Sequence, residues 1–417
     1  MDSETQQTQD TAEAAQPAAQ SGPPDARASG ARLKKRHIAA RVLLVLLFAI
    51  GVYFSLLPMG RANVRAALLL PALITQQEPP PLKALGPPVR HTQMTLPATI
   101  GTTYLDIYAP DAPAPLIPGE REGVLMIPGV GDNRNVEQLV NLSQSLARTG
   151  VVVMNFTTTT LLDYDLDPSD SDALVRAFQT LQHLPGVGPE RVGIVGFSAG
   201  GALAVLAAAD PRIRDNIAFI TLFGGYFDTT SLLQDFGRRA ITVDGKSQPW
   251  IPQLVPVQVL ANVMAGTLPL NEGNILTNAF ANSITPDISD NQLSQLSPPA
   301  LAAFHLLAGD QPENVDANIA ALSPGMRELL TSLAPSAFVA KVKTPIYLLH
   351  DRNDEFVPFT QSRDFAAALT KLNHPHEFAE FGIFAHVEVR TGLSITQLLG
   401  DAGALFRVVS LLLLPAS

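Results

Sequence analysis

Between Arg191 and Ala209 the chain reads RVGIVGFSAGGALAVLAAA: a short apolar run, a serine set between glycines, then a stretch of small residues of helical character. Few local patterns restrict a fold as tightly. A buried strand has to become a helix through a turn so sharp that only glycines leave room for the backbone, and that turn leaves a hydroxyl exposed above the strand end. Composition alone would produce Gly-x-Ser-x-Gly in a chain this long with odds on the order of one in ten, so the weight rests on its flanks. RVGIV supplies the strand and GALAVLAAA the helix that the pattern requires.

From about His91 onward the surrounding sequence repeats the same change of period. TTYLDIYAP alternates as a strand, GVLMIPG and VVVMNFT read as buried strands, and NVEQLVNLSQSLARTG between them reads as a helix ending at Gly150. SDSDALVRAFQTLQHLPG is a further helix, with serine and aspartate placed to cap its first amides. NIAFITLFGGYFD, TPIYLLHD and HEFAEFG supply later strands. This alternation predicts an α/β fold with a doubly wound, mostly parallel sheet. Residues 91–228 and 341–417 form its two parts, the last stretch, DAGALFRVVSLLLLPAS, being a final core helix. Residues 229–340 break the alternation; because structureless loops seldom exceed about fifteen residues, they are expected to form an inserted, mainly helical cap.

The N-terminal region has a different character. Residues 1–31 are Gln, Ala, Ser, Pro and acid, too poor in large apolar side chains to repay the entropy of folding, and are expected to be a disordered tail within a 1–41 segment that ends in a basic flank. Val42 to Met59 carries no charge over eighteen residues, long enough for one transmembrane helix lodged in a lipid bilayer. Lys and Arg concentrate before it (Arg27, Arg32, Lys34, Lys35, Arg36, Arg41), with only Arg61 and Arg65 close after it. That asymmetry predicts a single-pass signal anchor in the cell membrane, with a cytoplasmic N-terminus and everything after the span on the extracytoplasmic side. Leu57-Pro58-Met59 lacks the small residues of a cleavage site, which disfavours a removed signal peptide. Residues 60–90 read as a Pro-rich spacer. Within it Ala66 to Ile74, interrupted by Pro71, is too short to span and is expected to lie at an interface or on the domain.

Several function classes fall away. A formal charge of -10 leaves no basic footprint for nucleic acid. With no cysteine there can be no disulfide, thiolate metal site or cysteine nucleophile. Asp244-Gly245-Lys246-Ser247 has a P-loop ending, but Ala240 stands where that loop needs its first glycine. His374-Pro375-His376 has no partner cluster for zinc, so neither a metal nor another cofactor is expected.

A serine hydroxyl is a poor nucleophile at neutral pH unless a base takes its proton and an acid orients that base. Of the eight histidines, His37 precedes the apolar segment, and His91, His183 and His305 fall before the elbow, in the helix before it and in the cap. His374 and His376 precede the strand HEFAEF, at the wrong edge of a sheet. His350 stands at a strand end, while His386, in FGIFAHVEV, occupies a loop facing the elbow and is the preferred base.

Taken together, VGFSAGG, LLHDRNDEFVP and GIFAH resemble the α/β-hydrolase superfamily, in its dienelactone-hydrolase and serine-esterase or peptidase-like branch. The resemblance covers about residues 91–412 apart from the cap and keeps the family's order of serine, acid, histidine. It implies Ser198 as nucleophile between the elbow glycines Gly196 and Gly200, His386 as base, and Asp354 as triad acid. Asp351 replaces a glycine of the family's pattern; Asp351, Glu355 and Asp228 are rival acids. It also implies an oxyanion hole from the amides of Ala199 and, in PGVGDN, of Val130, with Gly131 next. The expected activity is hydrolysis of a small ester, with an apolar group favoured by a cap rich in Leu, Ala and Pro. A peptidase or amidase of the same fold is the alternative, with Glu313, Asp316 and Glu328 available to hold an amine. A catalytically silent binding module is a third reading.

Overall fold

The computed structural model describes residues 26–112, 121–286, 288–386, 388–390 and 395–414. The chain divides into two units, Met1–Tyr53 and Phe54–Ser417. In the first, residues 1–25 of the expected tail lie outside the described residues, and helix α1 begins at Ala26 and runs to Leu56. The Ala- and Arg-rich stretch from residue 26 has the helix propensity to extend α1 beyond its apolar part. Val42 to Leu47, Phe48 and Ile50 are all more than half exposed.

The expected single span of residues 42–59 is corrected by one residue pair. Leu57 is extended (φ -82°, ψ 135°), and Pro58 opens a new helix, α2, Pro58–Thr75. Proline has no amide to continue α1 and its ring drives the preceding residue out of the helical region, while suiting the first turn of the next helix. Among the described residues no single helix is long and apolar enough to cross a membrane; α1 from Arg41 and α2 pass that test only as a broken pair. In the second unit α2 buries Ala62, Ala66, Leu69 and Ala72 against the domain. The Pro-rich stretch after it is also docked: α3 (Pro80–Leu85) buries Leu82, and Arg148 pairs with Glu78 and donates to the Pro87 carbonyl.

The main sheet is assembled from β1 (Val89–Pro97), β2 (Thr102–Pro110), β3 (Arg121–Ile127), β4 (Val152–Thr158), β5 (Val187–Phe197), β6 (Ile217–Phe223), β9 (Ile346–Asp351) and β10 (His376–Phe381). Its order is β1-β2-β4-β3-β5-β6-β9-β10; β2 pairs antiparallel with both β1 and β4, and the strands from β4 to β10 pair parallel. Strand periodicity divides the core. On β3, Leu125 and Ile127 face one hydrophobic cluster while Val124 and Met126 face the other. Helices α4 (Glu137–Arg148), α2 and α16 (Ile395–Leu412) cover the second face. The first is covered by α6 (Asp170–Gln182), whose Phe178 and Leu181 are fully buried and contribute about 1.5–3 kcal/mol each, and by α7 (Ala199–Ala208). A one-turn helix, α5 (Thr159–Leu162), follows β4. At the start of α6 the expected serine cap does not form: Ser169 makes no side-chain cap bond, and Asp170 instead accepts from Thr160 Oγ1 and the Asp167 amide.

Between β6 and β9 the chain forms α8 (Thr229–Arg238), the hairpin β7 (Ala240–Val243) and β8 (Lys246–Pro249), α9 (Leu254–Ala265), α10 (Leu270–Ala279), α11 (Asp290–Leu293), α12 (Pro298–Ala308), α13 (Val315–Ala321) and α14 (Pro324–Ser332). Helix α15 (Thr360–Lys371) joins β9 to β10. The cap has no core of its own: Val257, Phe280, Phe304 and Met326 belong to the same buried cluster as β5 and α7. Asp244 (φ 50°) and Gly245 (φ 75°) form the tight turn of β7–β8, so the P-loop-like tetrapeptide is a hairpin.

Candidate active site

Strands β5, β9 and β10 deliver the catalytic candidates to one edge of the sheet, the carboxyl ends of its parallel strands, where open α/β sheets place their ligand crevices. Ser198 follows β5 and precedes α7 with φ 53° and ψ -129°, a conformation that costs a non-glycine residue on the order of 1–3 kcal/mol. The surroundings hold it there. Its amide donates to the Phe223 carbonyl at 2.9 Å, and its carbonyl accepts from the Gly201 amide at 3.0 Å. Glycine at 196 and 200 is required by contact: a Cβ on Gly196 would lie 2.6 Å from the Gly200 carbonyl oxygen, and one on Gly200 would lie 2.4 Å from the Ile127 carbonyl oxygen.

Asp354 lies in the loop after β9 and is buried. Its Oδ1 accepts the amides of Phe356 (2.8 Å) and Val357 (2.9 Å), and its Oδ2 lies 2.7 Å from His386 Nδ1. Burial by itself raises the pKa of this carboxyl, but its interactions with the His386 and His350 imidazoles outweigh it and hold the group well below the usual carboxylate range. The carboxylate therefore fixes the His386 tautomer: Nδ1–H donates to it, leaving the lone pair on Nε2.

His386 is buried, has φ 59°, and begins the connection between β11 (Phe384–Ala385) and β12 (Glu388–Val389). The Phe356 ring stacks on its imidazole, centroids 4.6 Å apart and planes 14° apart. Gly224, at φ 63°, closes the space between the candidates: a Cβ there would lie 3.1 Å from both Asp354 Oδ2 and His386 Nδ1. Its neighbour Phe223 holds the Ser198 amide, so the end of β6 lies against Ser198, His386 and Asp354 together. Among the described residues Ser198 Oγ and His386 are not hydrogen-bonded to each other; nucleophile–base contacts are often long before substrate binds.

Each rival acid has another task. Asp228 caps α8, accepting from Thr230 and Ser231 amides, and accepts from Ser336 Oγ. Glu355 is exposed and bonded to Gln253. Asp351 is buried and binds Asn353 and, at 2.6 Å, the Phe384 amide, thereby tying the histidine loop to the end of β9. His350 is fully buried: Nδ1 accepts from Ser362 Oγ at 2.7 Å, and the Nε2–H is shared between the Val357 carbonyl (3.0 Å) and Asp354 Oδ2 (3.2 Å). Both its ring nitrogens are thus engaged beneath Asp354. Trp250 adds a support that sequence reasoning missed, its indole N–H donating to the Asp354 carbonyl at 2.8 Å. The glycine pair of LFGGYFD was the legible signal for Gly224; nothing local marks Trp250 or Ser362.

For an oxyanion, the Ala199 amide stands in the first turn of α7, where helix amides lack intrahelical partners and the dipole favours negative charge. The second donor is narrowed by its neighbour. Gly131 donates its amide to the Leu161 carbonyl at 2.7 Å and is committed, whereas Val130 lines the same pocket as Ser198 and Ala199. Asn133 Nδ2 steadies this loop by donating to the Val130 carbonyl at 2.8 Å. The pocket holds about 50 Å³ and is walled by aliphatic side chains of α9 and α14 together with Phe356. His374 and His376 lie away from it, His374 Nε2 against the Thr344 carbonyl and His376 Nδ1 against the His374 carbonyl.

A parallel sheet carrying a strained serine at the head of a helix, with a buried Asp–His pair at the same edge, defines a class of fold. Residues 124–388 match the alpha/beta hydrolase family, and the chain belongs to that family. A search of curated proteins gave no match. Among solved structures, the chain is similar to a puromycin-hydrolyzing peptidase of Mycobacterium tuberculosis (17% identity, TM-score 0.43), with 77% of this chain and 38% of that one covered. It is similar to the acylaminoacyl peptidase of Pyrococcus horikoshii (14% identity, TM-score 0.43), covering 78% of this chain and 41% of that. An alpha/beta hydrolase enzyme from a Medee basin deep-sea metagenome library is 15% identical (TM-score 0.42) over 79% of this chain and 99% of its own. The chain thus spans about two fifths of the peptidases it resembles.

Proposed function

We propose that this chain is a serine hydrolase that cleaves carboxylic esters with a small apolar acyl group. The observation that carries the reading is the buried His386–Asp354 bond of 2.7 Å at the sheet edge that presents Ser198 in its strained turn. Ser198 Oγ attacks the ester carbonyl while His386 Nε2 takes its proton, and Asp354 stabilises the imidazolium. The amides of Ala199 and Val130 receive the oxyanion. His386 then gives the proton to the departing alcohol, and water, activated by the same base, releases the acid from the acyl enzyme. Support for an apolar acyl group comes from the pocket, whose lining includes no carboxylate to hold a substrate amine. About 50 Å³ leaves room for a short chain only.

The exposed apolar face of α1 from Val42 to Leu56 supports a membrane attachment for the same protein. These fifteen residues span about 22 Å as a helix, short of the ~30 Å hydrocarbon core, so the attachment needs flanking residues reaching the interface or a locally thinned bilayer. In this reading the catalytic domain lies on the extracytoplasmic side.

The test is fluorophosphonate labelling of the full chain in detergent, with Ser198→Ala as control, followed by a chain-length series of p-nitrophenyl esters beside aminoacyl amides. Labelling at Ser198 and a preference for short acyl esters are expected. Faster turnover of the amides would replace the esterase reading with a peptidase. Absence of labelling on folded protein would leave the binding module.

A further inference from the structure

On the other face of the sheet from α7, helices α2, α4 and α16 stand apart and leave a cavity of about 280 Å³ between themselves and the strands. Its walls are almost wholly apolar, with Leu73 from α2, Leu142 from α4 and Val409 from α16 facing Phe197 and Phe223 from the sheet. Interiors are normally close-packed, and an apolar void of this size stays dry unless an apolar ligand fills it. The lining follows β3 from Glu122 at its start to Pro128 beyond its end, about 20 Å at strand spacing. At the start of β3 the lining includes Glu122, whose carboxylate pairs with Arg65 at 2.5 Å. The cavity opens where Gln138 and Val136, 39% exposed, and Gln76 surround it.

We propose that this channel binds one linear acyl chain, its polar end at the Gln76–Gln138 mouth and its methyl end among Leu69 and Leu413. A single leaflet of a bilayer spans about 15 Å of hydrocarbon, so a lining about 20 Å long is long enough for one lipid tail. The catalytic pocket, about 50 Å³, cannot take such a chain, which makes the two sites chemically distinct. The occupant would touch the underside of the catalytic apparatus. Phe197 precedes Ser198, the Phe223 carbonyl holds the Ser198 amide, and Phe384, also in the lining, donates its amide to Asp351 two residues before the base. Asn133 at the same end steadies the Val130 carbonyl. Filling the channel therefore packs the support of nucleophile, base and oxyanion loop at once.

The test uses the full chain and the fluorescent fatty acid dansyl-undecanoate, displaced by palmitate. Saturable, blue-shifted binding is expected, weakened at least tenfold by Leu142→Trp, which fills the channel, and changed less than twofold by Val263→Trp, which fills the catalytic pocket, or by prior phosphonylation of Ser198. Leu73→Trp, on a different helix, repeats the test should Leu142→Trp fail to fold. Fluorophosphonate labelling, read separately, reports the folded site, so failure of the channel and failure of the hydrolase reading are distinguishable. No binding, or binding lost on Ser198 modification and kept in Leu142→Trp and Leu73→Trp, overturns the proposal. Incubation with phosphatidylcholine vesicles and, in parallel, with free palmitate, followed by gel filtration and lipid extraction, identifies the source: recovered intact phospholipid assigns a bilayer lipid, recovered palmitate alone a free fatty acid.

Discussion

Replacing Asp354 by asparagine changes one atom and, on the geometry above, inverts the polarity of the base. The Phe356 and Val357 amides both donate to Oδ1, so the asparagine oxygen has to stay there and its NH2 has to occupy the position of Oδ2. That NH2 then faces His386 Nδ1 and the His350 Nε2–H, at 2.7 Å and 3.2 Å in the native protein. Imidazole answers a donor at Nδ1 by moving its proton to Nε2, which leaves no lone pair for the Ser198 proton. A wrong tautomer of this kind lowers kcat by about four orders of magnitude, or about 5.5 kcal/mol at 1.36 kcal/mol per decade. Two donors facing each other beside His350 cost a further 1–3 kcal/mol or so of stability. The pH dependence changes as well. The native carboxyl has a folded pKa below its unfolded value of about 3.9, so it contributes stability above that pH that is lost as pH falls through the folded value; Asp354→Asn lacks this component. Ester hydrolysis with active-site titration reads the first effect, and urea unfolding from about pH 8 down to about pH 2 reads the second, as the onset of the loss below about 3.9 in wild type and its absence in Asp354→Asn. Activity within tenfold of wild type in Asp354→Asn, combined with a large loss in Asp351→Asn, would refute the assignment and make Asp351 the acid.

Further outcomes are expected from single residues. Ser198→Gly relieves the positive φ of the elbow and should unfold at higher urea than Ser198→Ala by about 1–3 kcal/mol, both being inactive; equal midpoints would show that the turn is unstrained. Burial raises Asp235 to about 7, so its contribution to stability is present below its unfolded pKa of about 3.9 and lost as pH rises through 7. Asp235→Asn should therefore match wild type near the low end of that window and exceed it at alkaline pH in thermal unfolding, and a parallel pair of curves would contradict this. Thr221 is buried in the wall of the channel with its hydroxyl unpartnered among the described residues, and Thr221→Val should raise stability by about 1 kcal/mol in urea unfolding. A loss of stability there would mean that the hydroxyl is hydrogen-bonded.

Sequence alone carried the α/β alternation, because strand and helix periods are local and both faces of a parallel sheet are buried, giving VVVMNFT and GVLMIPG their continuous apolar runs. It carried the elbow for a similar reason: a strand, a glycine-bounded serine and a small-residue helix are contiguous. The order of serine, acid and histidine was legible through motif spacing, and the family resemblance of LLHDRNDEFVP pointed to Asp354, but nothing local to Asp351, Glu355 or Asp228 set those rivals aside. Four carboxylates near strand ends look alike in one dimension, and only three-dimensional contact shows one bound to His386, one capping α8, one tied to Phe384 and one exposed.

Tertiary structure also decided what the N-terminal half of the apolar region does not say about itself. Hydropathy sums over residues 42–59 without regard to Pro58, whose missing amide ends one helix and begins another, and α2 then buries its small residues on the domain. The cap likewise read as separate because its pattern changes, yet its apolar residues complete the cluster under α7. The committed amide of Gly131, the Trp250 and His350 bonds to the acid loop, and the channel beneath the sheet depend on contacts between residues far apart in the chain. Periodicity records which face a residue turns inward; which atom it meets there is set only when the elements pack.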